Sequence, residues 1–275
     1  AAQNQAVGQS VRHGAGRCGM DGPDLCHELL HVIAEATALH DAAQGRKPAQ
    51  PAQAAKGPRG NMAQQLDYHS IREAFTRFQA AEPEPKGELE HTNAYTLVVA
   101  VALSAQATDV GVNKATRALF KIADTPEKML ALGEEKLIEH IKTIGLFRNK
   151  AKNVMKMARL LVDDYGGEVP SSRAALQFLP GVGRKTANVV LNMWWKHPAQ
   201  AVDTHIFRVG NRTGIAPGKD VDAVERSIED HVPAEFQLHA HHWLILHGRY
   251  VCVARKPKCQ ACLIADLCQF KEKTT

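Results

Sequence analysis

The sequence predicts an all-α protein, and three observations lead to that prediction. Apolar residues recur at helical spacing in segments such as 137–144 and 154–161. Helix-start signals precede such segments. At 125–127 a threonine suited to capping is followed by a proline at the first helical position and an acid in the first turn. Nowhere do two alternating segments flank an Asn-Gly or Asp-Gly turn, the usual mark of a β-hairpin.

The helices can be assigned in chain order. The first is predicted over about 66–80. The run 94–105 is apolar almost all round, which is typical of a helix buried at the centre of a domain. We expect Asp109 to cap the next helix, over 110–121. Beyond the segments at 126, 137 and 154, a short helix over 173–178 is predicted to lead through a tight turn into a helix that begins at Arg184.

Composition limits the class of protein. The 275 residues carry a formal net charge of +5, which permits a polyanionic partner without requiring one. No apolar run reaches the roughly 18 residues of a membrane span, and no basic-then-apolar signal segment opens the chain. We therefore expect a cytoplasmic protein without a membrane partner.

The first 61 residues differ from the rest. They are rich in Ala, Gln, Gly and Pro and show little periodic hydrophobicity. We expect 1–61 to form a flexible leader with one possible short helix. Its two cysteines, Cys18 and Cys26, are predicted to be free thiols.

The turn at 179–183 reads Leu-Pro-Gly-Val-Gly. Two glycines let a backbone turn sharply and approach a neighbour closely, because they have no Cβ. The N–H groups at the start of the following helix suit a phosphate. A nucleotide-binding P-loop is excluded, since that motif needs a glycine immediately before Lys185, where this chain has Arg184.

Four cysteines crowd the C-terminal end: Cys252, Cys259, Cys262 and Cys268. Such a group, in a chain without an export signal, indicates a metal site rather than a disulfide framework. Four thiolates suit either zinc or a [4Fe–4S] cluster. The six- and five-residue gaps are uncommon for zinc, so the spacing alone favours iron only modestly.

Together these motifs resemble the endonuclease III family of helix-hairpin-helix DNA glycosylases. The resemblance rests on 179–187, on Asp203 within Val-Asp-Thr-His, on the four cysteines, and on 103–109 and 144–146. It runs from about 62 to 273. It implies a six-helix domain at 87–198 that carries the hairpin and is inserted in a helical [4Fe–4S] domain formed by 62–86 and 199–275. DNA would lie in the cleft between the two domains.

The resemblance also implies the chemistry. Lys185 would attack the sugar of an oxidised pyrimidine nucleotide and form a Schiff base, and Asp203 would offset the positive charge that develops there. The strand would then be cleaved 3′ to the abasic site by β-elimination. One [4Fe–4S] cluster would be held by the four cysteines. Taken alone, Lys185 is most simply a solvated helix residue and Asp203 a helix cap, and Asp203 can serve as both cap and catalyst.

The same resemblance implies the contacts with double-stranded DNA that contains damaged pyrimidines or abasic sites. Gln106 and Leu146 would fill the gap left by an extruded base. The enzyme would act as a monomer, in a bacterial cytoplasm at the nucleoid. Phosphates would be held by two groups of residues: the hairpin residues Gly181, Val182, Gly183 and Arg184, and the cysteine-loop residues Arg255, Lys256 and Lys258.

Other interpretations fit the motifs less well. Adenine glycosylases of the superfamily lack the lysine and carry a long C-terminal domain, while its 8-oxoguanine glycosylases lack the four cysteines. A non-catalytic iron–sulfur DNA-binding or redox-sensing protein would need neither Lys185 nor Asp203. The histidines His241, His242 and His247 flank an apolar run, which favours helix packing over metal binding.

Overall fold

A computed structural model describes residues 63–274, and the predictions for 1–61 lie outside them. The described residues contain helices and no strands, which confirms the all-α prediction. The α-helices are α1 (Tyr68–Ala81), α2 (Ala94–Ser104), α3 (Asp109–Leu119), α4 (Pro126–Leu132), α5 (Glu134–Ile141), α6 (Phe147–Tyr165), α7 (Arg173–Phe178), α8 (Arg184–Trp195), α9 (Thr204–Thr213), α10 (Val221–His231) and α11 (Gln237–Tyr250). Single 3₁₀ turns lie at Ala234–Phe236 and Cys259–Ala261.

Side-chain caps explain where several helices begin. Thr125 caps α4 by accepting from the Lys128 N–H, and Pro126 occupies the first turn, as predicted. The prediction that Asp109 caps α3 is wrong. Thr108 is the cap, because its hydroxyl accepts from the Gly111 N–H at 3.1 Å, and Asp109 is already the first helical residue. Its carboxylate is thereby free to pair elsewhere.

The range 87–198 holds seven helices, one more than the resemblance implies. Gly133 accounts for the additional one, since its φ of 85° cannot continue a right-handed helix. It ends α4 and begins α5.

The described residues belong to one compact unit of the chain, and their apolar side chains form two clusters. The first cluster is built from α2–α8 around α2, in which every residue from Tyr95 to Leu103 is buried. Truncating a fully buried side chain such as Leu97 to Ala costs about 2–5 kcal/mol. The second cluster is built from α1, α9, α10 and α11 together with Ile264.

His241, His242 and His247 of α11 are buried in the protein interior, in line with the packing prediction. The rings of His241 and His242 have centroids 3.9 Å apart and are tilted by 37° relative to each other. Burial lowers the pKa of His242 to about 4, so this ring is neutral at physiological pH. Among residues 63–274, no helix combines the length and the apolar character needed to cross a membrane.

Candidate active site

The tight turn at 179–183 is held by its own backbone. The Leu179 N–H donates to the Leu176 carbonyl at 3.1 Å, and the Val182 N–H donates to the Leu179 carbonyl at 3.0 Å. Gly181 has a φ of 85°, and a Cβ at that position would stand 3.2 Å from the Cβ of Asn153 on α6. The positive φ favours glycine, and a Cβ there would also force the Asn153 side chain to move by a few tenths of an ångström.

The turn delivers the chain into α8 with an uncapped N-terminus. Gly183 is the N-cap residue and has no side chain with which to accept from the first turn, and the first turn contains no acid. The first amide to donate within the helix is that of Ala187, to the Gly183 carbonyl at 2.9 Å. The three preceding N–H groups and the positive end of the helix dipole thus form an anion-binding end.

Lys185 lies in this first turn and faces Asp203. Its Nζ is 3.6 Å from Asp203 Oδ2, and the side chains are 52% and 12% exposed. The other carboxylate oxygen of Asp203 accepts from the N–H groups of His205 and Ile206 at 2.8 and 2.9 Å, so Asp203 also caps α9. The cap fixes one oxygen and leaves the other directed at an accessible amine. Both roles that the sequence suggests for Asp203 are thus compatible with its position.

A second charged group lies beside this pair, and the sequence did not predict it. Arg249 of α11 pairs with Asp109 at 2.9 Å and also with Glu88. Asp203 lies within electrostatic range of Arg249. From the sequence, Asp109 is only a helix cap. Nothing local in the sequence indicates a partner that lies 140 positions away along the chain.

Gln106 and Leu146 share an unusual backbone. Their φ angles are 56° and 60°, in the left-handed region that non-glycine residues rarely adopt, and both side chains are exposed, Leu146 by 60%. Their loops are neighbours, because a Cβ at Gly145 would lie 4.0 Å from the Gln106 carbonyl oxygen. Such strain, together with an exposed leucine, is typical of functional loops rather than of packing.

The four C-terminal cysteines are free thiols that line one cavity together with residues such as Thr213 and Phe270. Burial raises the pKa of the Cys262 and Cys268 thiols, so thiolates there need a compensating positive group. A bound metal centre would supply it. Within the part of the chain that the structure describes, no three His, Cys, Asp or Glu side chains converge on a point for a single metal ion.

Helix α9 holds the loop that follows the first of these cysteines. Arg208 Nε donates to the Cys252 carbonyl at 2.9 Å. Arg212 donates to the carbonyls of Val253 and Ala254 at 2.8 and 2.9 Å and lies 3.7 Å from Cys252 Sγ. These contacts leave the basic side chains of the loop in solvent: Arg255, Lys256 and Lys258 are all exposed.

Comparison with known proteins agrees with this architecture. Residues 99–234 match the family model of the HhH-GPD superfamily base excision DNA repair protein. Residues 252–268, which begin and end on predicted ligands, match the iron–sulfur binding domain of endonuclease III. Endonuclease III of Escherichia coli K12 is 57% identical over 201 residues, which cover 73% of this chain and 95% of that protein.

Solved structures give the same result. A non-covalent endonuclease III–DNA complex aligns with a TM-score of 0.70 and 43% identity, over 74% of this chain and 96% of that one. A trapped endonuclease III–DNA covalent intermediate aligns with a TM-score of 0.69, at the same identity and coverage. The resemblance inferred from the motifs is thereby confirmed. The chain belongs to the endonuclease III family of base excision DNA repair proteins and carries that family's iron–sulfur binding domain.

Proposed function

We propose that this chain is a bifunctional DNA glycosylase and AP lyase that removes oxidised pyrimidines from double-stranded DNA. The observation that carries the proposal is the position of an accessible amine. Lys185 Nζ lies 3.6 Å from the Asp203 carboxylate, which caps α9, and next to the anion-binding start of α8. Family membership supports the glycosylase and lyase class. A covalent step is in keeping with the relative that was trapped as an endonuclease III–DNA covalent intermediate.

Base release requires an unprotonated lysine at the anomeric carbon. The Lys185 nitrogen donates its electron pair to C1′ while the bond from C1′ to the base breaks, and the base leaves with that electron pair and takes up a proton. Positive charge develops on the sugar in between, and the Asp203 carboxylate stabilises it. The lysine nitrogen then loses a proton, and its electron pair forms the C1′–N double bond while the C1′–O4′ bond breaks and O4′ takes up a proton. The product is the protonated C1′–lysine Schiff base.

Strand cleavage follows from the same adduct. The protonated Schiff base withdraws electrons and acidifies the C2′ hydrogen. When a proton acceptor removes that hydrogen as a proton, the electron pair of the C2′–H bond forms the C2′–C3′ double bond. The C3′–oxygen bond then breaks, which releases the 3′ phosphate. Water then hydrolyses the Schiff base and frees Lys185.

Two parts of the surface are suited to hold the DNA around this centre. The free amides of the first turn of α8, those of Arg184, Lys185 and Thr186, would bind a phosphate, with Gly181, Val182 and Gly183 shaping the approach. Arg255, Lys256 and Lys258 would contact further phosphates by charge. Gln106 and Leu146, exposed on adjoining loops, would occupy the space of the extruded nucleotide.

The two apolar clusters are suited to be the two predicted domains, 87–198 and the pair 62–86 with 199–275. Lys185 belongs to the first and Asp203 to the second, so the reaction centre would lie where they meet. Nothing in this scheme needs a second subunit, and we propose a monomer.

The iron–sulfur group is proposed to be one [4Fe–4S] cluster held by Cys252, Cys259, Cys262 and Cys268. All four thiols line one cavity, so a single group could bind all of them, and the nearby Arg212 cation and Phe270 N–H would stabilise the thiolates. When bound, the cluster ties distant positions of one loop together and fixes its basic residues. Metal analysis of anaerobically purified protein should find about four iron atoms per chain. Stoichiometric zinc without iron would overturn this assignment.

The decisive test uses a duplex that contains one oxidised pyrimidine. Wild-type protein should release the base, cleave the strand and form a covalent adduct with borohydride. Lys185→Gln should do none of these while it still binds the duplex, because the amine is only one of many groups that hold the DNA. Wild-type protein that binds but releases no base and forms no adduct would instead be a non-catalytic DNA-binding protein.

A further inference from the structure

Arg184 stands beside the proposed nucleophile, yet its side chain is directed into the protein. Its Nε and Nη2 donate to the two carboxylate oxygens of Glu225 at 3.0 and 2.9 Å, a bidentate ion pair. The Glu225 side chain is only 5% exposed, and Asp222 lies 3.9 Å from the same guanidinium. Hydrogen bonding to Glu225 raises the pKa of Arg184. The carboxylates of Glu225 and Asp222 thus offset the positive charge of Arg184, the residue that the sequence analysis expects to contact a DNA phosphate.

The ion pair belongs to a polar row along one face of α8. Arg184, Asn188 and Asn192 recur every four residues and therefore lie on the same side of the helix. Asn188 Nδ2 donates to Glu225 Oε1 at 3.0 Å and to the Gln200 carbonyl at 2.7 Å. Asn192 Nδ2 donates to the Leu238 carbonyl at 2.9 Å.

This row connects the two apolar clusters. Helix α8 belongs to the first cluster, whereas Glu225 on α10 and Leu238 on α11 belong to helices of the second. The proposed reaction centre has the same division, with Lys185 on α8 and Asp203 at the start of α9. The distance between Lys185 and Asp203 therefore depends on how α8 sits against the second cluster. Among the contacts of this row, the Arg184–Glu225 ion pair lies nearest to the reaction centre, because Arg184 is the immediate neighbour of Lys185.

We propose that Glu225 is a positioning residue for the Lys185–Asp203 centre and acts through Arg184 and Asn188. This inference rests on the proposed function. Glu225 is a buried carboxylate that accepts three hydrogen bonds, all from α8. It fixes the rotation and depth of the first helical turn. A misplacement of about 1 Å in a reacting group can slow a reaction by about 100-fold, so such a contact affects the rate without touching the substrate.

The test is a double-mutant cycle on Arg184→Gln and Glu225→Gln, with single-turnover base release measured at saturating enzyme. Each single variant should slow the rate constant at least 10-fold, and the double variant should be no slower than the worse single one, because both remove the same contact. Borohydride trapping counts the active molecules. A change that only lowers stability reduces that count and leaves the rate constant of the remaining molecules unchanged.

Two further variants complete the design. Glu229→Gln is the matched control, since Glu229 lies one turn further along α10 and has its nearest cation in Arg173 at 4.0 Å; its rate should stay within twofold of wild type. Glu225→Asp keeps the charge and should recover part of the rate. If Glu225→Gln does not fold, the Asp variant carries the test, and a wild-type rate in it would overturn the proposal.

The remaining outcomes are equally distinct. If the slowing factors of the single variants multiply in the double variant, Arg184 and Glu225 act separately and the proposal fails. It also fails if Glu225→Gln has the wild-type rate while Arg184→Gln lowers the slope of log affinity against log salt by about 0.9, because Arg184 is then a phosphate contact. A wild-type enzyme that forms no adduct would refute the proposed function itself, before any variant is compared.

Discussion

The hairpin turn at 179–183 and the cysteine loop at 253–258 are both proposed to hold phosphates, and they are built in opposite ways. The hairpin turn is fixed by its own backbone bonds and by a glycine packed on Asn153. It offers neutral amides, and the guanidinium of Arg184 beside it is engaged by Glu225. The cysteine loop is fixed from outside by Arg208 and Arg212, and it offers three exposed cations.

The difference separates two ways of binding a polyanion. Cations that neutralise phosphates release counterions, so their contribution depends on salt, whereas amides contribute through directed hydrogen bonds with little such dependence. If both loops hold phosphates as proposed, the hairpin turn positions the strand beside Lys185, and the cysteine loop supplies the affinity that weakens as salt rises. The slope of log affinity against log salt therefore reports the contribution of the cysteine loop and depends little on the hairpin turn.

The largest expected change in that slope comes from Cys262→Ser. Loss of one ligand should release the whole loop, so up to three phosphate contacts disappear and the slope falls by up to about 2.7. Visible iron–sulfur absorption should disappear from the same preparation. Ala261→Ser alters the exposed neighbouring residue and serves as the control. Retention of the wild-type slope by a variant without iron would mean that the loop needs no cluster to reach DNA.

A smaller change is expected when Arg255 and Lys256 are replaced by Ala with the cluster intact. Removal of these two cations should lower the slope by about 1.8 and weaken binding similarly for all sequences. Base release at saturating enzyme should stay near the wild-type rate, because the loop lies outside the reaction centre. An unchanged slope would show that these side chains face solvent in the complex.

The smallest change in slope is expected for Gly181→Ala, although its affinity should fall. A Cβ at a φ of 85°, and 3.2 Å from Asn153, should destabilise the protein by about 1–2 kcal/mol and distort the amides. Titration at several salt concentrations should give parallel lines, with the variant about tenfold weaker. Gly133→Ala is the matched control, since its φ is also 85° but it lies between α4 and α5, where a Cβ meets nothing within 4 Å, so its affinity should stay at the wild-type value. Equal losses in both variants would contradict the geometric explanation.

What the sequence could predict depended on how local each cause was. The hairpin turn was predictable because its causes are local: a proline restricts the backbone, and two glycines permit a sharp turn. The cap of α3 was misplaced by one position, since Thr108 and Asp109 are both good capping residues and only the backbone path distinguishes them. The pairing of Arg184 with Glu225 joins positions 41 residues apart, and the left-handed φ of Leu146 contradicts its residue type. Neither the Arg184–Glu225 pairing nor the φ of Leu146 can be predicted from the residues next to it in the sequence.

Helix α9 has a consequence for how damage is located. It is 10 residues long, or about 15 Å, with Asp203 capping its first turn and Arg212 holding the cysteine loop from its last turn. An α-helix is nearly incompressible along its axis. It therefore keeps a fixed distance between the cysteine loop at one end and the Asp203 carboxylate at the other. If the loop grips a phosphate, the sugar that reacts is selected by its distance along the backbone. The enzyme would then measure where to act before it recognises which base is there.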